Sequence, residues 1–121
     1  MTGGRSSKFD QAQEKCKQLS AKLPIIKSKS ENSFILGLMK MSEQWVWLGM
    51  KRIQGKMVWC DDTPADPSNG ASYNAWITNE PSYNVNENCA YLDFNARAWN
   101  DDKCNYPAGL GPYVLCQKAL M

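Results

Sequence analysis

Apolar side chains recur at helical spacing over the first twenty residues. They follow a Ser-Lys-Phe-Asp stretch at 7–10, which resembles a capping box with Asp in the place of Glu. Four residues form this apolar stripe: Phe9, Ala12, Cys16 and Leu19. The spacing predicts a first helix that ends near Ser20.

A second helix is predicted to begin at Ser28, because the Ser-Lys-Ser-Glu stretch at 28–31 is a capping-box pattern. Its predicted apolar stripe comprises Phe34, Ile35, Leu38 and Met39. Between the two helices, the Leu-Pro-Ile-Ile stretch at 23–26 is typical of a short apolar connector or strand.

After residue 44 the pattern becomes that of β-structure. Apolar runs at 45–50 and 57–59 predict two strands, joined by a turn at Gln54 and Gly55. Two late strands are predicted at 89–94 and 111–116. Two helices followed by a small antiparallel sheet indicate the α+β class.

A long irregular segment, residues 60–88, is rich in Pro, Asn, Asp and Ser. A loop of this length in a compact domain is usually functional or disordered. Tyr73 and Trp76 interrupt the polar sequence, and we expect both to pack the loop onto the core.

The composition of the chain argues against several classes of function. The 121 residues contain no histidine, which excludes Ser-His-Asp and Cys-His catalysis and the common His-containing zinc sites. No apolar run approaches about 18 residues, so we expect no membrane insertion. The net charge of +2 and the pI of 8.3 are too low for a strong nucleic-acid binder.

The charge is unevenly spread along the chain. Residues 1–56 carry eleven Lys/Arg and four Asp/Glu, a balance of +7. Residues 57–121 carry three Lys/Arg and eight Asp/Glu, a balance of −5. The acidic half is therefore the part that needs a functional explanation.

Five cysteines lie far apart in the sequence and form no C-x-x-C pair. In a small domain this distribution indicates disulfides made in an oxidising compartment, and hence a secreted or extracellular protein. Because five is odd, at least one thiol stays free or pairs with another chain.

Several motifs in register resemble the C-type lectin-like domain over nearly the whole chain. They are Trp-Leu-Gly-Met at 47–50, Met-Val-Trp at 57–59 with Asp61, Tyr-Asn-Ala-Trp at 73–76, Glu-Pro at 80–81, Glu-Asn-Cys at 87–89, Trp-Asn-Asp at 99–101, and Cys104 through Cys116. The resemblance implies one domain, residues 1–121, with two helices, small antiparallel sheets and a long calcium-binding loop region. It also implies a first strand before the helix, which must be short or trimmed here.

The resemblance further implies disulfides between Cys16 and Cys116 and between Cys89 and Cys104. Cys60 then has no partner within the chain. Two interpretations stay open for it: a partly buried free thiol, or an interchain bridge that links a homodimer.

The resemblance implies a Ca²⁺ site built from oxygen ligands, which suit a hard cation. The matching positions are Glu80, Ser82, Glu87, Asn100 and Asp101. Three of these are carboxylates, which would repel one another if they converged without a basic partner, and a dication removes that repulsion. The same ligand atoms can accept hydrogen bonds from two vicinal sugar hydroxyls.

The choice of sugar stays open, because Glu80-Pro81-Ser82 matches neither the mannose-type nor the galactose-type family triplet. Ser82 is the departure, and Tyr83 is placed to stack on a galactose ring or to pack on its own loop. An auxiliary calcium site is not expected, because its acidic ligands would lie where this chain has the basic stretch 51–56.

The resemblance therefore predicts a calcium-dependent lectin domain that recognises a terminal galactose-type or mannose/fucose-type monosaccharide on glycans. The alternative is a protein-binding or ice-binding domain of the same fold with a structural or absent calcium. An enzyme that uses Glu80 and Glu87 as a glycosidase pair is not favoured, since both would be needed as calcium ligands. Most of the five tryptophans are expected in the core or as loop anchors.

Overall fold

The computed structural model describes residues 2–39, 44–77 and 86–117. Within these residues the chain forms two helices and a six-stranded sheet, which confirms the α+β class. The elements are β1 (Thr2–Arg5), α1 (Phe9–Gln18), α2 (Lys29–Leu38), β2 (Trp45–Ile53), β3 (Lys56–Trp59), β4 (Cys89–Asp93), β5 (Ala98–Asp102) and β6 (Tyr113–Leu115).

The strands are ordered β1-β6-β2-β4-β5, and β3 pairs with β2 outside this path. All neighbouring pairs are antiparallel except β2 and β6, which meet in parallel at Val46 and Tyr113. The predicted turn between β2 and β3 is confirmed. Gln54 and Gly55 both have positive φ, 52° and 83°, as a two-residue hairpin turn of the mirror-image type requires.

Strand β5 was not predicted, although strands β2, β3, β4 and β6 were. Its residues, Ala-Trp-Asn-Asp-Asp, include three with low intrinsic strand preference. Tertiary pairing decides the conformation, since every residue of β5 pairs with one of β4. The short first strand implied by the resemblance is present as β1, which pairs with β6.

The predicted capping box of α1 is wrong. The N-cap is Lys8, and no side chain caps this helix. The start of α1 is held instead from the far end of the chain, because Phe9 N donates to the Cys104 carbonyl oxygen at 2.9 Å. Leu19 lies past the end of the helix and is 49% exposed, whereas the other three residues of the predicted stripe are buried.

The capping prediction for α2 is confirmed, since Ser28 Oγ accepts from Glu31 N at 3.1 Å. The apolar stripe predicted for this helix is partly wrong. Ile35 and Met39 are buried as expected, but Phe34 is 63% exposed and Leu38 is also exposed. Asn32 and Leu36 take their places on the buried face. The helix is therefore rotated relative to the predicted stripe.

Two apolar clusters form the core, one on α2 and the middle of the sheet, the other between α1, Trp47 and β6. The predicted disulfides are both present, Cys16 to Cys116 and Cys89 to Cys104. Of the tryptophans, those at 47, 59 and 99 are buried, which confirms their structural role, while Trp45 is 41% exposed. No helix among the described residues is long and apolar enough to cross a membrane.

Candidate functional site

The first part of the long loop, up to residue 77, is fastened to the core by two aromatic side chains. Trp76 Nε1 donates to the Ala65 carbonyl oxygen at 2.8 Å. The rings of Tyr73 and Trp76 both meet the buried Trp99 edge-to-face, with centroids 5.9 and 5.5 Å away. The prediction that Tyr73 and Trp76 anchor the loop is confirmed.

The loop then runs alongside β5. Trp99 N donates to the Ala75 carbonyl oxygen at 2.7 Å, and Ile77 N donates to the Trp99 carbonyl oxygen at 2.9 Å. The loop is thus led to the stretch of β5 that continues into Asn100 and Asp101. Three of the predicted site residues lie outside the described residues, namely Glu80, Ser82 and Tyr83.

Asn100 is half-buried, and its side-chain orientation is set by a neighbouring strand. It pairs with Tyr91 across the β4–β5 ladder, and its Nδ2 donates to Tyr91 Oη at 3.0 Å. Tyr91 is itself only 6% exposed, so surrounding protein atoms hold its ring in position. This hydrogen bond uses a donor of the Asn100 amide, and the Oδ1 atom of the same amide is by its chemistry an acceptor.

Asp101 is almost fully buried and contacts a basic residue. Its Oδ2 lies 2.8 Å from Nη2 of Arg52, and the two side chains are 0% and 5% exposed. Alternation along β5 gives the reason, because Trp99 and Asp101 point inward where Asn100 does not. The assumption that the carboxylates converge without a basic partner is therefore wrong for Asp101.

The main chain of Glu87 also contacts Arg52. Its carbonyl oxygen accepts from Arg52 Nε at 3.3 Å and from Nη2 at 3.1 Å. Arg52 N also donates to the Asn88 carbonyl oxygen at 2.8 Å. The segment that follows the undescribed part of the loop is thus joined to β2, and Arg52 connects it to Asp101.

Arg52 is the residue that sequence reasoning missed. In the sequence it is part of the basic stretch 51–56, whose charge argues against an auxiliary calcium site. The available signal was a basic stretch where the resemblance places the acidic ligands of an auxiliary site. A basic side chain there can pair with a carboxylate of the predicted principal site.

Tyr106 contacts Asp102, the residue that follows Asp101 on β5. Its Oη donates to Asp102 Oδ2 at 3.0 Å. Burial, and after it the negative charge of Asp102, raises the pKa of Tyr106 above its ordinary value. The phenol therefore stays protonated at neutral pH and serves as a hydrogen-bond donor.

The described residues do not by themselves form a metal site. Among them, no group of three or more His, Cys, Asp or Glu residues could hold a metal ion. Three of the predicted ligands lie in the described part: the main chain of Glu87 and the carboxylate of Asp101 both contact Arg52, whereas the Asn100 side chain lies on the other face of β5. These donors are hard oxygens, so their chemistry fits calcium, and a complete shell needs the ligands predicted at 80 and 82.

A family model for the lectin C-type domain matches residues 5–118. The human CD209 antigen is 33% identical over 106 residues, and the CD209 antigen of Nomascus concolor is 32% identical over the same length. Each match covers 86% of this chain and 24% of the relative, so the chain spans about a quarter of the length of these relatives.

Solved structures of similar shape include the cow C-type carbohydrate-recognition domain of CD23, determined in the presence of a GlcNAc2Man3 oligosaccharide. It is 27% identical with a TM-score of 0.76, over 99% of this chain and 87% of that one. A calcium-independent type II antifreeze protein shares the fold at 21% identity, with a TM-score of 0.75 over 95% of this chain and 81% of that one. The chain therefore belongs to the C-type lectin domain family, a family of carbohydrate-binding domains that are not enzymes.

Proposed function

We propose that this domain binds a terminal monosaccharide of a glycan in a calcium-dependent manner, by recognition of vicinal hydroxyls. The proposed ligands are Glu80, Ser82, Glu87, Asn100 and Asp101. The observation that carries the proposal is the pair Asn100 and Asp101 on β5, directly after the residue to which the loop is fastened. Glu80 follows Ile77 by three residues, a chain length of at most about 10 Å.

Asn100 and Glu87 have separate tasks in this mechanism. A bound calcium ion supplies coordination positions for two neighbouring sugar hydroxyls. Asn100, with its amide nitrogen held by Tyr91, offers Oδ1 as an oxygen ligand. Glu87 accepts from a sugar hydroxyl through its carboxylate, a charge-assisted hydrogen bond and therefore a strong one. Recognition of this kind breaks no bond and needs no proton transfer, in agreement with a chain that has no histidine.

The proposed sugar is of the galactose type or of the mannose/fucose type. Glu80-Pro81-Ser82 is compatible with galactose-type and with mannose/fucose-type ligands, and Tyr83 would favour galactose if its ring stacks on the sugar. All four residues lie outside the described part of the chain. A glycan array read with competing free monosaccharides separates the two classes.

Calcium dependence and the ligand role of Glu87 are tested together. Glycan binding is expected to disappear in excess chelator and to return with added calcium. Glu87→Gln is expected to weaken calcium and glycan binding at least about tenfold, since it removes one ligand charge. Calorimetric titration with calcium and the glycan array are the measurements.

Glu14→Gln is the matched control, because it removes the same charge from an exposed position on α1. It should leave calcium and glycan binding unchanged. Glycan binding that persists in chelator, or an equal loss in both variants, would contradict the proposed site.

One observation favours a second function of another class. Arg52 already balances the charge of Asp101, so this part of the fold is electrostatically complete without a metal. A protein-binding or ice-binding domain with a structural or absent calcium would use such an arrangement. That function predicts no hit on the glycan array that a monosaccharide inhibits. Where calcium is absent, it also predicts a stable fold and unchanged ligand binding in chelator.

The compartment and the assembly are further parts of the proposal. The two disulfides support a secreted or extracellular location. Cys60 is an exposed residue, although protein atoms cover part of its thiol, and it is the free cysteine of the described residues. Its Sγ lies 3.7 Å from Gln13 Nε2, in a surface groove between α1 and Gly49.

Nearby protein atoms desolvate the Cys60 thiol and raise its pKa, so little reactive thiolate exists at neutral pH. We therefore expect wild type and Cys60→Ser to run alike, as monomers, in non-reducing electrophoresis. A reducible dimer band seen with wild type and absent with Cys60→Ser would instead establish the homodimer linked through Cys60.

A further inference from the structure

The Arg52 side chain connects β2 to two segments that are distant in sequence, at Glu87 and at Asp101, and to the adjacent β2–β3 turn. Its guanidinium donates to the Asp101 carboxylate on β5, to the Glu87 carbonyl oxygen and to the Gly55 carbonyl oxygen of the β2–β3 turn. The donor–acceptor distances are 2.8 to 3.3 Å. The planar fork of an arginine can satisfy several acceptors at once, whereas a lysine ammonium acts as a point charge.

Burial makes this arrangement costly to break. The Arg52 and Asp101 side chains are 5% and 0% exposed, so each charge depends on the other and not on water. The contact therefore joins β2 to β5 and to the Glu87 segment through side-chain hydrogen bonds, in addition to the strand pairing.

We propose that Arg52 is a positioning residue, whose guanidinium holds the Glu87 segment and the Asp101 carboxylate in their binding arrangement before any cation arrives. The inference rests on the proposed function, in which Glu87 and Asp101 are ligands. A site that is already assembled does not lose binding free energy to the ordering of its loop. Arg52 does from within the chain what a second bound cation would otherwise do.

The decisive variant is Arg52→Lys, which keeps the charge and loses the fork. Arg52→Gln removes both. We expect each variant to weaken calcium binding by about 10- to 100-fold, the usual effect when a residue that orients metal ligands is lost. We also expect faster amide exchange over residues 86–90 in the metal-free protein, because the Glu87 carbonyl oxygen loses its donors. The measurements are calorimetric titration with calcium and hydrogen exchange in chelator.

Lys51→Gln is the matched control, since it removes one positive charge from the adjacent, exposed position of β2. It should change calcium affinity by no more than about twofold at physiological salt, because surface charges are screened there. Its exchange over 86–90 should match that of wild type.

The outcomes separate this inference from the function on which it rests. Wild-type calcium affinity in Arg52→Lys, or tighter binding in Arg52→Gln, would show that Arg52 acts only as a competing charge and would overturn the proposal. A lower melting temperature with unchanged affinity and unchanged exchange would also overturn it. If wild type binds no calcium, the proposed function fails, and the exchange measurement alone decides whether Arg52 positions the Glu87 segment.

Discussion

Replacing Cys16 and Cys116 together by alanine is expected to lower the free energy of unfolding by about 4–5 kcal/mol. The disulfide closes a loop with a sequence separation of 100 residues, so its removal releases nearly the whole unfolded chain. A loss of that size is a large share of the stability of a domain this small, and we expect partial unfolding at 37 °C.

The same bond fastens the two ends of the fold. Cys16 lies on α1 and is fully buried, while Cys116 directly follows β6. Next to it, residues 22 and 117 exchange main-chain hydrogen bonds of 2.8 and 2.6 Å. Without the covalent link these hydrogen bonds and the β1–β6 pairing must hold the ends alone.

Urea unfolding under non-reducing conditions measures this effect, with Cys60→Ala as the control that removes a thiol but no bond. The control should stay within about 0.5 kcal/mol of wild type. Loss of the Cys89–Cys104 bond, with a sequence separation of 15, should cost less, about 3 kcal/mol. Equal losses from the two disulfide variants would contradict the loop-length argument.

Trp99→Ala is expected to have the second largest effect, a loss of about 3–5 kcal/mol. The indole is fully buried and contacts three other aromatic rings edge-to-face, those of Trp59, Tyr73 and Trp76. Its Nε1 also donates to Asn32 Oδ1 at 2.9 Å, which connects α2 to the sheet. Alanine would leave a cavity where helix, sheet and loop meet, together with a buried amide oxygen without its donor.

Denaturant unfolding is again the measurement, and Trp45→Ala is the matched control. Trp45 lies on the same sheet but is 41% exposed, and its described ring contact is with Tyr91 alone. We expect it to lose about 1 kcal/mol. Trp99→Phe should fall between the two, since it keeps most of the ring packing and loses the hydrogen bond to Asn32. Similar losses in Trp99→Ala and Trp45→Ala would show that Trp99 is not the centre of the core.

Much of the fold was predictable, because the signals for it are local. Ser28 and Glu31 marked the start of α2, and Gln54 and Gly55 marked the β2–β3 turn. Strand β5 was not predicted, because its conformation comes from pairing with β4 and not from the preferences of its own residues. The prediction of a capping box at the start of α1 was wrong for a related reason, since the first amide of the helix donates to the Cys104 carbonyl oxygen.

For the site, the sequence motif located Asn100 and Asp101 but not their surroundings. The pairing of Asn100 with Tyr91 follows from strand register, which a motif does not contain. The contact between Asp101 and Arg52 joins positions 49 residues apart, and nothing local to either residue predicts it. The positions of these candidate ligands could therefore be predicted from the sequence. The charge balance and the side-chain orientation at the site follow only from the fold.

Strand β5 is the outer strand of the sheet, and the loop residues 75–77 cover its free edge beside Trp99. Uncovered strand edges are templates on which other chains add strands and aggregate. The segment that leads the chain toward the proposed site thus also shields this edge. Conditions that detach residues 75–77 would expose unpaired main-chain groups, so integrity of the loop and resistance to self-association are coupled in this domain.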